Sequence, residues 1–219
     1  MGDLAQAARA VGDFWRENPY YEAAEGEMDN RWQYLLAPWV ADLDFRVCVD
    51  LAAGHGRNTR KMLEQPHCER VYCVDINEEN AAFCRERFSA EPRVIVLRND
   101  GYTIPEVEDG SVTCFYCFDA MVHFDSDVVR SYLKEVRRVL TPAGRAFLHH
   151  SNLTDFPGRG PYHAENPGSR NFMSKAMFAH YASKEGLAVV RQEEIDWLCN
   201  GTWTDCFSLL AARSGAAGP

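Results

Sequence analysis

A chain of 219 residues, 46% hydrophobic and 25% charged, suits one globular domain that buries its core without disulfides or metals. Its 23 Lys and Arg against 32 Asp and Glu leave a net charge of −9, which disfavours phosphate backbones, since these are bound by neutralising cations. No apolar run reaches the roughly 18 to 20 residues of a membrane span. Residues 1–11 lack the order of a secretory signal, so the expected setting is the cytoplasm, without membrane or nucleic-acid partners.

Taken in chain order, Leu4, Ala8, Val11 and Trp15 follow helical spacing, which Asn18 and Pro19 interrupt. A second helical stretch over about 22–40 sets Met28, Trp32 and Leu36 on one face. No strand pattern precedes residue 46, so 1–45 reads as a helical appendage. It either packs on a sheet edge or covers a ligand as a lid. Trp15, Tyr20, Tyr21 and Trp32 are costly to leave exposed, and Tyr21 is taken as a substrate contact.

From residue 46 strands and helices alternate. Apolar runs at 46–51, 71–76, 94–97, 112–118 and 145–149 are predicted strands, with 187–190 and 207–211 closing the set. Asn77 is placed to cap a helix carrying Ala81, Cys84 and Phe88. Asp125 or Ser126 opens an amphipathic helix with Val128, Val129, Tyr132, Leu133, Val136 and Val139 on one face. Ser174 starts another, stopped by Gly186. Such alternation predicts a mostly parallel sheet covered on both faces. Residues 151–172, with three prolines and three glycines, read as a long functional loop, and 214–219 as a disordered tail. Cys48, Cys73, Cys114 and Cys117 lie in strand-like runs, and no second pair joins the Cys114/Cys117 spacing, so buried reduced thiols and no metal are expected.

The strongest signal is the strand at 47–51 running into Gly54-x-Gly56 at a helix start, where backbone can approach a ligand closely. Thr59 replaces the last glycine of a dinucleotide fingerprint, and no P-loop is present. Asp50, Asp75 and Asp100 recur at 25-residue intervals, at the ends of three successive strands facing one crevice. Three carboxylates suit a nucleoside without phosphates, preferably a cation, and S-adenosylmethionine is such a ligand.

On these residues, 46–213 resembles a class I S-adenosylmethionine-dependent methyltransferase of the small-molecule type. The resemblance implies a Rossmann-like, seven-stranded, mostly parallel α/β sheet with an N-terminal helical lid. It further implies that Gly54 and Gly56, with Ala52 where many members carry glycine, lie under the methionine part, and that Asp50 lies near its amino group. Asp75 would take the ribose and Ile76 the adenine face. Asp100, followed by Gly101, would take the adenine amino group, and Phe118 closes the methionine side.

Methyl transfer needs a base only where the acceptor is protonated at working pH. His123, just past the fourth strand, is the candidate, against a packing role. Only one of His149 and His150 should face the crevice, and His150 is chosen as the second catalytic or substrate contact. Asp119, Asn152, Tyr162 and Arg170 complete the expected substrate set, with Arg159 or Arg170 as a clamp for an acidic group and His163 nearby. Asp119, the two histidines and Asn152 read first as hydrogen-bonding side chains and only secondarily as a metal site. Two rival functions share these motifs: a macromolecule methyltransferase, and a protein that binds S-adenosylmethionine for other chemistry such as cyclisation or cleavage.

Overall fold

The computed structural model describes residues 3–154 and 167–213. Arg159, Tyr162, His163 and the tail at 214–219 lie outside the described residues. Seven strands form one sheet: β1 (Val47–Leu51), β2 (Arg70–Asp75), β3 (Val94–Arg98), β4 (Val112–Cys117), β5 (Leu140–Ser151), β6 (Leu187–Ile195) and β7 (Asp205–Ala212). Their order is β3-β2-β1-β4-β5-β7-β6. Neighbours from β3 to β5 pair in parallel, and β7 runs antiparallel to both β5 and β6. The chain therefore leaves β1 in one direction for β2 and β3 and in the other for β4. A crevice opens where the order reverses, at the carboxyl ends of β1 and β4.

The helices are α1 (Leu4–Trp15), α2 (Tyr20–Gly26), α3 (Met28–Arg31), α4 (Ala37–Val40), α5 (Arg57–Leu63), α6 (Glu78–Arg87), α7 (Ser126–Val139) and α8 (Lys175–Lys184). All six residues of β4 are buried, as a strand covered on both faces requires. The predicted face of α7 packs down with Val128, Val129, Tyr132, Leu133, Val136 and Val139 buried, and joins Phe115, Leu148 and Phe178 in one core. On the opposite face Met28, Leu36, Trp39 and Val40 pack against Met62, Tyr116, Phe147 and Phe207. All eight cysteines are unpaired, and every one but Cys199 is buried.

Three elements differ from expectation. The stretch at 22–40 is not one helix but α2, α3 and α4, with a π turn at Trp32–Leu36 between α3 and α4. Pro38 has no N–H for the carbonyl of Tyr34, and Ala37 N bonds instead to Trp32 O in the wider turn. Asn77 does not cap α6 with its side chain; its Nδ2 donates to Gly12 O at 2.9 Å and ties α1 to the sheet. Strand β5 begins at Leu140 rather than 145, its Pro142 and Gly144 absorbed by a shift in register against Val112 and Cys114.

Candidate functional site

One pocket lies at the crevice. Its floor is Leu51, Ala52, Ala53 and Gly54 at the end of β1, Asp75 and Ile76 at the end of β2, Gly101 after β3, and Phe118 and Asp119 after β4. Ala8, Val11, Gly12 and Trp15 of α1 and Tyr20 and Tyr21 of α2 roof it, and His123, Val128 and Tyr132 form the far wall. Of the residues singled out in the sequence, Ala52, Gly54, Asp75, Ile76, Gly101, Phe118, Tyr21, Asp119 and His123 line this one pocket.

The loop after β1 must reverse sharply over the sheet. Ala52 and Gly54 both take left-handed backbone, with φ of 55° and 56°. That conformation strains alanine by roughly 1 to 2 kcal/mol and costs glycine nothing. It turns the Gly54 amide toward Asp75, whose Oδ2 accepts it at 2.8 Å. Asp75 Oδ1 accepts Asn77 N at 2.9 Å and Asn80 Nδ2 at 3.2 Å. Burial holds the Asp75 carboxyl above the usual carboxylate range despite these three donors. Tyr21 crosses the same corner, its hydroxyl donating to Trp15 O at 2.9 Å and accepting from Asn80 Nδ2 at 3.0 Å.

At the other end Asp119 sits at φ 61° just past β4, so its carboxylate turns in beneath α2. Its Oδ2 accepts from Arg57 Nη2 at 2.8 Å and from the Tyr20 hydroxyl. Burial raises the Asp119 carboxyl, but the Arg57 guanidinium and the Tyr20 bond outweigh it, and the group stays below the usual range. Burial and the Asp119 charge together push the Tyr20 phenol up. Arg57 also donates to Ala24 O at 3.2 Å, so the first residue of α5 holds both Asp119 and α2.

His123 is 4% exposed and packs on Trp15 with ring centroids 4.8 Å apart. Its Nδ1 is 2.9 Å from Ser169 O. A carbonyl only accepts, so Nδ1 carries the proton and Nε2 is the open acceptor. Burial lowers the ring to about 4, which keeps it neutral at pH 7.

Several expected site residues lie elsewhere. Asp50 is fully buried behind the loop, with Oδ2 accepting from Thr59 Oγ1 at 2.7 Å, and it does not line the pocket. Gly56 caps α5 away from the pocket wall, and a Cβ there would meet Phe88 at 2.6 Å. Asp100 is exposed and folds onto its own turn, accepting Tyr102 N at 2.9 Å, Thr103 N at 2.7 Å and Thr103 Oγ1 at 2.6 Å; Asn99 lines the pocket in its stead.

The choice of His150 is corrected. It is 0% exposed, stacked on Phe178 at 3.7 Å and bonded to Ser208 Oγ at 2.8 Å. Its neighbour His149 points to the Asp119 side, where its Nδ1 accepts the Asp119 amide at 3.1 Å. Asn152 holds Trp203 O and Lys175 N rather than pocket surface. Arg170 clasps Asp205 through Nε at 3.1 Å and is not on the pocket wall itself. Among the described residues no cluster of three His, Cys, Asp or Glu is arranged for a metal.

Sequence reasoning left Arg57 between the cofactor's carboxylate and solvent, gave Tyr20 only to the helical appendage, and missed Asn58, Asn99 and Asp205. Arg57 stands directly after the glycine loop, a usable signal. Asp205 carried none, since it joins His149 only across the β5–β7 ladder.

Residues 48–144 match the family model of a methyltransferase domain. A solved chain in the complex of the Haloferax volcanii Trm112 methyltransferase activator with a methyltransferase is 18% identical, with a TM-score of 0.69 over 91% of this chain and 97% of that one. A sarcosine dimethylglycine methyltransferase from Galdieria sulphuraria is 17% identical, with a TM-score of 0.64 over 93% and 92%. The [4+2]-cyclase SpnF, at 12% identity and a TM-score of 0.65 over 89% and 82%, has the same fold. At these identities the likeness is one of fold. No curated protein sequence matches the chain significantly.

Proposed function

We propose that the chain, whose residues 48–144 match a methyltransferase domain, is a class I S-adenosylmethionine-dependent methyltransferase that methylates an oxygen or nitrogen of a small molecule and releases S-adenosylhomocysteine. The observation that carries this reading is the single pocket joining Gly54, Asp75, Ile76 and Gly101, from three strand ends, to His123 and Asp119.

The residues present suit the cofactor. Asn58 Oδ1 and Trp15 Nε1 are buried with no hydrogen-bond partner among the described residues, and both residues line the pocket. An unpaired acceptor and an unpaired donor in one pocket fit a ligand carrying both ammonium and oxygen groups. Asp75 would take the ribose hydroxyls, Ile76 and Val11 the adenine faces, Asn58 Oδ1 the ammonium and Trp15 Nε1 the carboxylate, since Arg57 is already bonded to Asp119 and Ala24 O. When bound, S-adenosylmethionine supplies a methyl group activated by its sulfonium.

The protein's own work is orientation, exclusion of water and one proton. The α1–α2 roof acts as a lid over the pocket, which argues for a small acceptor; with the acidic balance, it also argues against a nucleic-acid partner. His123 Nε2, open and unprotonated, takes the proton of an acceptor hydroxyl or amine. No helix among the described residues is long and apolar enough to cross a membrane, and we take the enzyme as cytoplasmic.

Calorimetric titration with S-adenosylmethionine, S-adenosylhomocysteine and NAD tests the cofactor reading. Binding of the two sulfur ligands without NAD is expected, and loss of both refutes it. Mass-spectrometric screening of small acceptors then looks for a mass gain of one methyl with matching S-adenosylhomocysteine. Consumption of S-adenosylmethionine without methylated product would favour the other chemistries that this fold carries.

A further inference from the structure

Around Asp119, beside and behind that end of the pocket, guanidinium groups outnumber carboxylates among the described residues. The single oxygen Asp119 Oδ2 meets Arg57 Nη2 at 2.8 Å, Arg31 Nη1 at 3.7 Å and the Tyr20 hydroxyl. Beside it Asp205 meets Arg170 Nη2 at 2.9 Å and His149 Nε2 at 2.9 Å. His149 Nδ1 already accepts the Asp119 amide, so its one proton is on Nε2 and the ring is neutral. Three guanidinium groups thus face two carboxylates among the described residues.

Two of the three arginines converge on one ring. Arg31 lies 4.7 Å and Arg170 5.7 Å from the centroid of Trp197, which itself packs 4.9 Å from His149 and 5.9 Å from the pocket residue Phe118. Neither arginine is sealed off, with side-chain exposures of 27% and 21%. Among the described residues Arg31 has only its long ion pair to an oxygen that two other donors share, and Arg170 Nη2, buried 2.9 Å from Asp205 Oδ1, makes no hydrogen bond. A half-buried surplus charge is costly until an opposite charge meets it. The cofactor does not supply that charge, because its sulfonium and ammonium outnumber its one carboxylate.

Resting on the methyltransferase reading above, we propose that the acceptor carries a carboxylate, and that Arg31 and Arg170 bind it beside Trp197. The placement serves the chemistry. Arg170 directly follows Ser169, whose carbonyl holds His123, so one short segment fixes both the anchor and the base. The acceptor is then a small organic acid whose nucleophilic atom reaches His123 while its carboxylate stays at the arginines.

The test follows arginine Nε–Hε NMR signals of the full chain saturated with S-adenosylhomocysteine, titrated with acetate and, in parallel, with neutral acetamide. Arg31→Gln and Arg170→Gln identify the two signals by their loss; should a variant fail to fold, assignment through the wild-type backbone replaces it. Both signals are expected to shift saturably with acetate and not with acetamide. Absence of a saturable shift, or equal shifts with acetamide, overturns the proposal. So does a shift of both signals on adding S-adenosylhomocysteine that methylthioadenosine fails to cause, since the pair would then serve the cofactor's carboxylate. Calorimetry with S-adenosylhomocysteine comes first. A protein that does not bind it refutes the methyltransferase reading alone, and the acetate titration of the free protein still decides the anion site.

Discussion

The Tyr21 ring lies so close to Gly54 that a Cβ on the glycine would sit 2.5 Å from Tyr21 Cε1. One contact therefore couples the roof of the pocket to the loop that turns the Gly54 amide onto Asp75. Gly54→Ala is expected to weaken S-adenosylhomocysteine binding by about tenfold or more, through the clash and a backbone strain of roughly 1 to 2 kcal/mol. Calorimetry on Gly54→Ala in a Tyr21→Ala background separates the two, because only the strain survives there. Equal losses in both backgrounds would show that Tyr21 yields freely.

Asp75 accepts three donors from its own chain while lining the pocket. Asp75→Asn keeps the shape but turns one acceptor into a donor facing an N–H. We expect S-adenosylhomocysteine affinity to fall about tenfold or more and unfolding stability by about 1 to 3 kcal/mol. Unchanged affinity with lowered stability would confine Asp75 to holding the loop.

These two residues also show how far the sequence could be read. The alternation of apolar runs with helical faces was enough for the sheet, and strand ends in a parallel sheet share one edge, which puts Gly54 and Asp75 at one pocket; Ile76 and Gly101, which line it too, follow only from the family resemblance. The 25-residue rhythm misled at Asp50 and Asp100. Spacing places a backbone position, but not whether a side chain turns to the pocket, to Thr59 or to its own Asx turn. The choice between His149 and His150 depended on strand phase, which one residue of register reverses. The His149–Asp205 bond spans 56 residues and rests on an antiparallel ladder that no local pattern announces.

His123 Nδ1 donates to Ser169 O, and burial sets the ring at about 4. His123→Asn can keep that donation and cannot take a proton. Turnover on an acceptor found by screening is expected to drop about 10²-fold, with S-adenosylhomocysteine affinity unchanged. The wild-type rate should stay level from neutral pH down to about 5 and fall as the ring protonates near 4. Full activity in the variant would leave His123 a packing role against Trp15.

Asp50 is a carboxyl with no access to solvent. Its Oδ1 has no partner among the described residues, and burial raises its carboxyl from an ordinary 3.8 to about 7. The folded value lies above the unfolded one, so its contribution to stability is fully present below about 3.8 and is lost as pH rises through 7. Asp50→Asn keeps an oxygen for Thr59 and has no such loss. Its stability relative to wild type should therefore climb by roughly 1.4 kcal/mol per pH unit across that window and level off above it. Urea unfolding of both proteins at pH 5 and pH 8 measures the change, and histidine titrations common to the two cancel in the difference. A gap that stays constant between the two pH values would show that the fold accommodates ionised Asp50, with Thr59 sufficient to hold it.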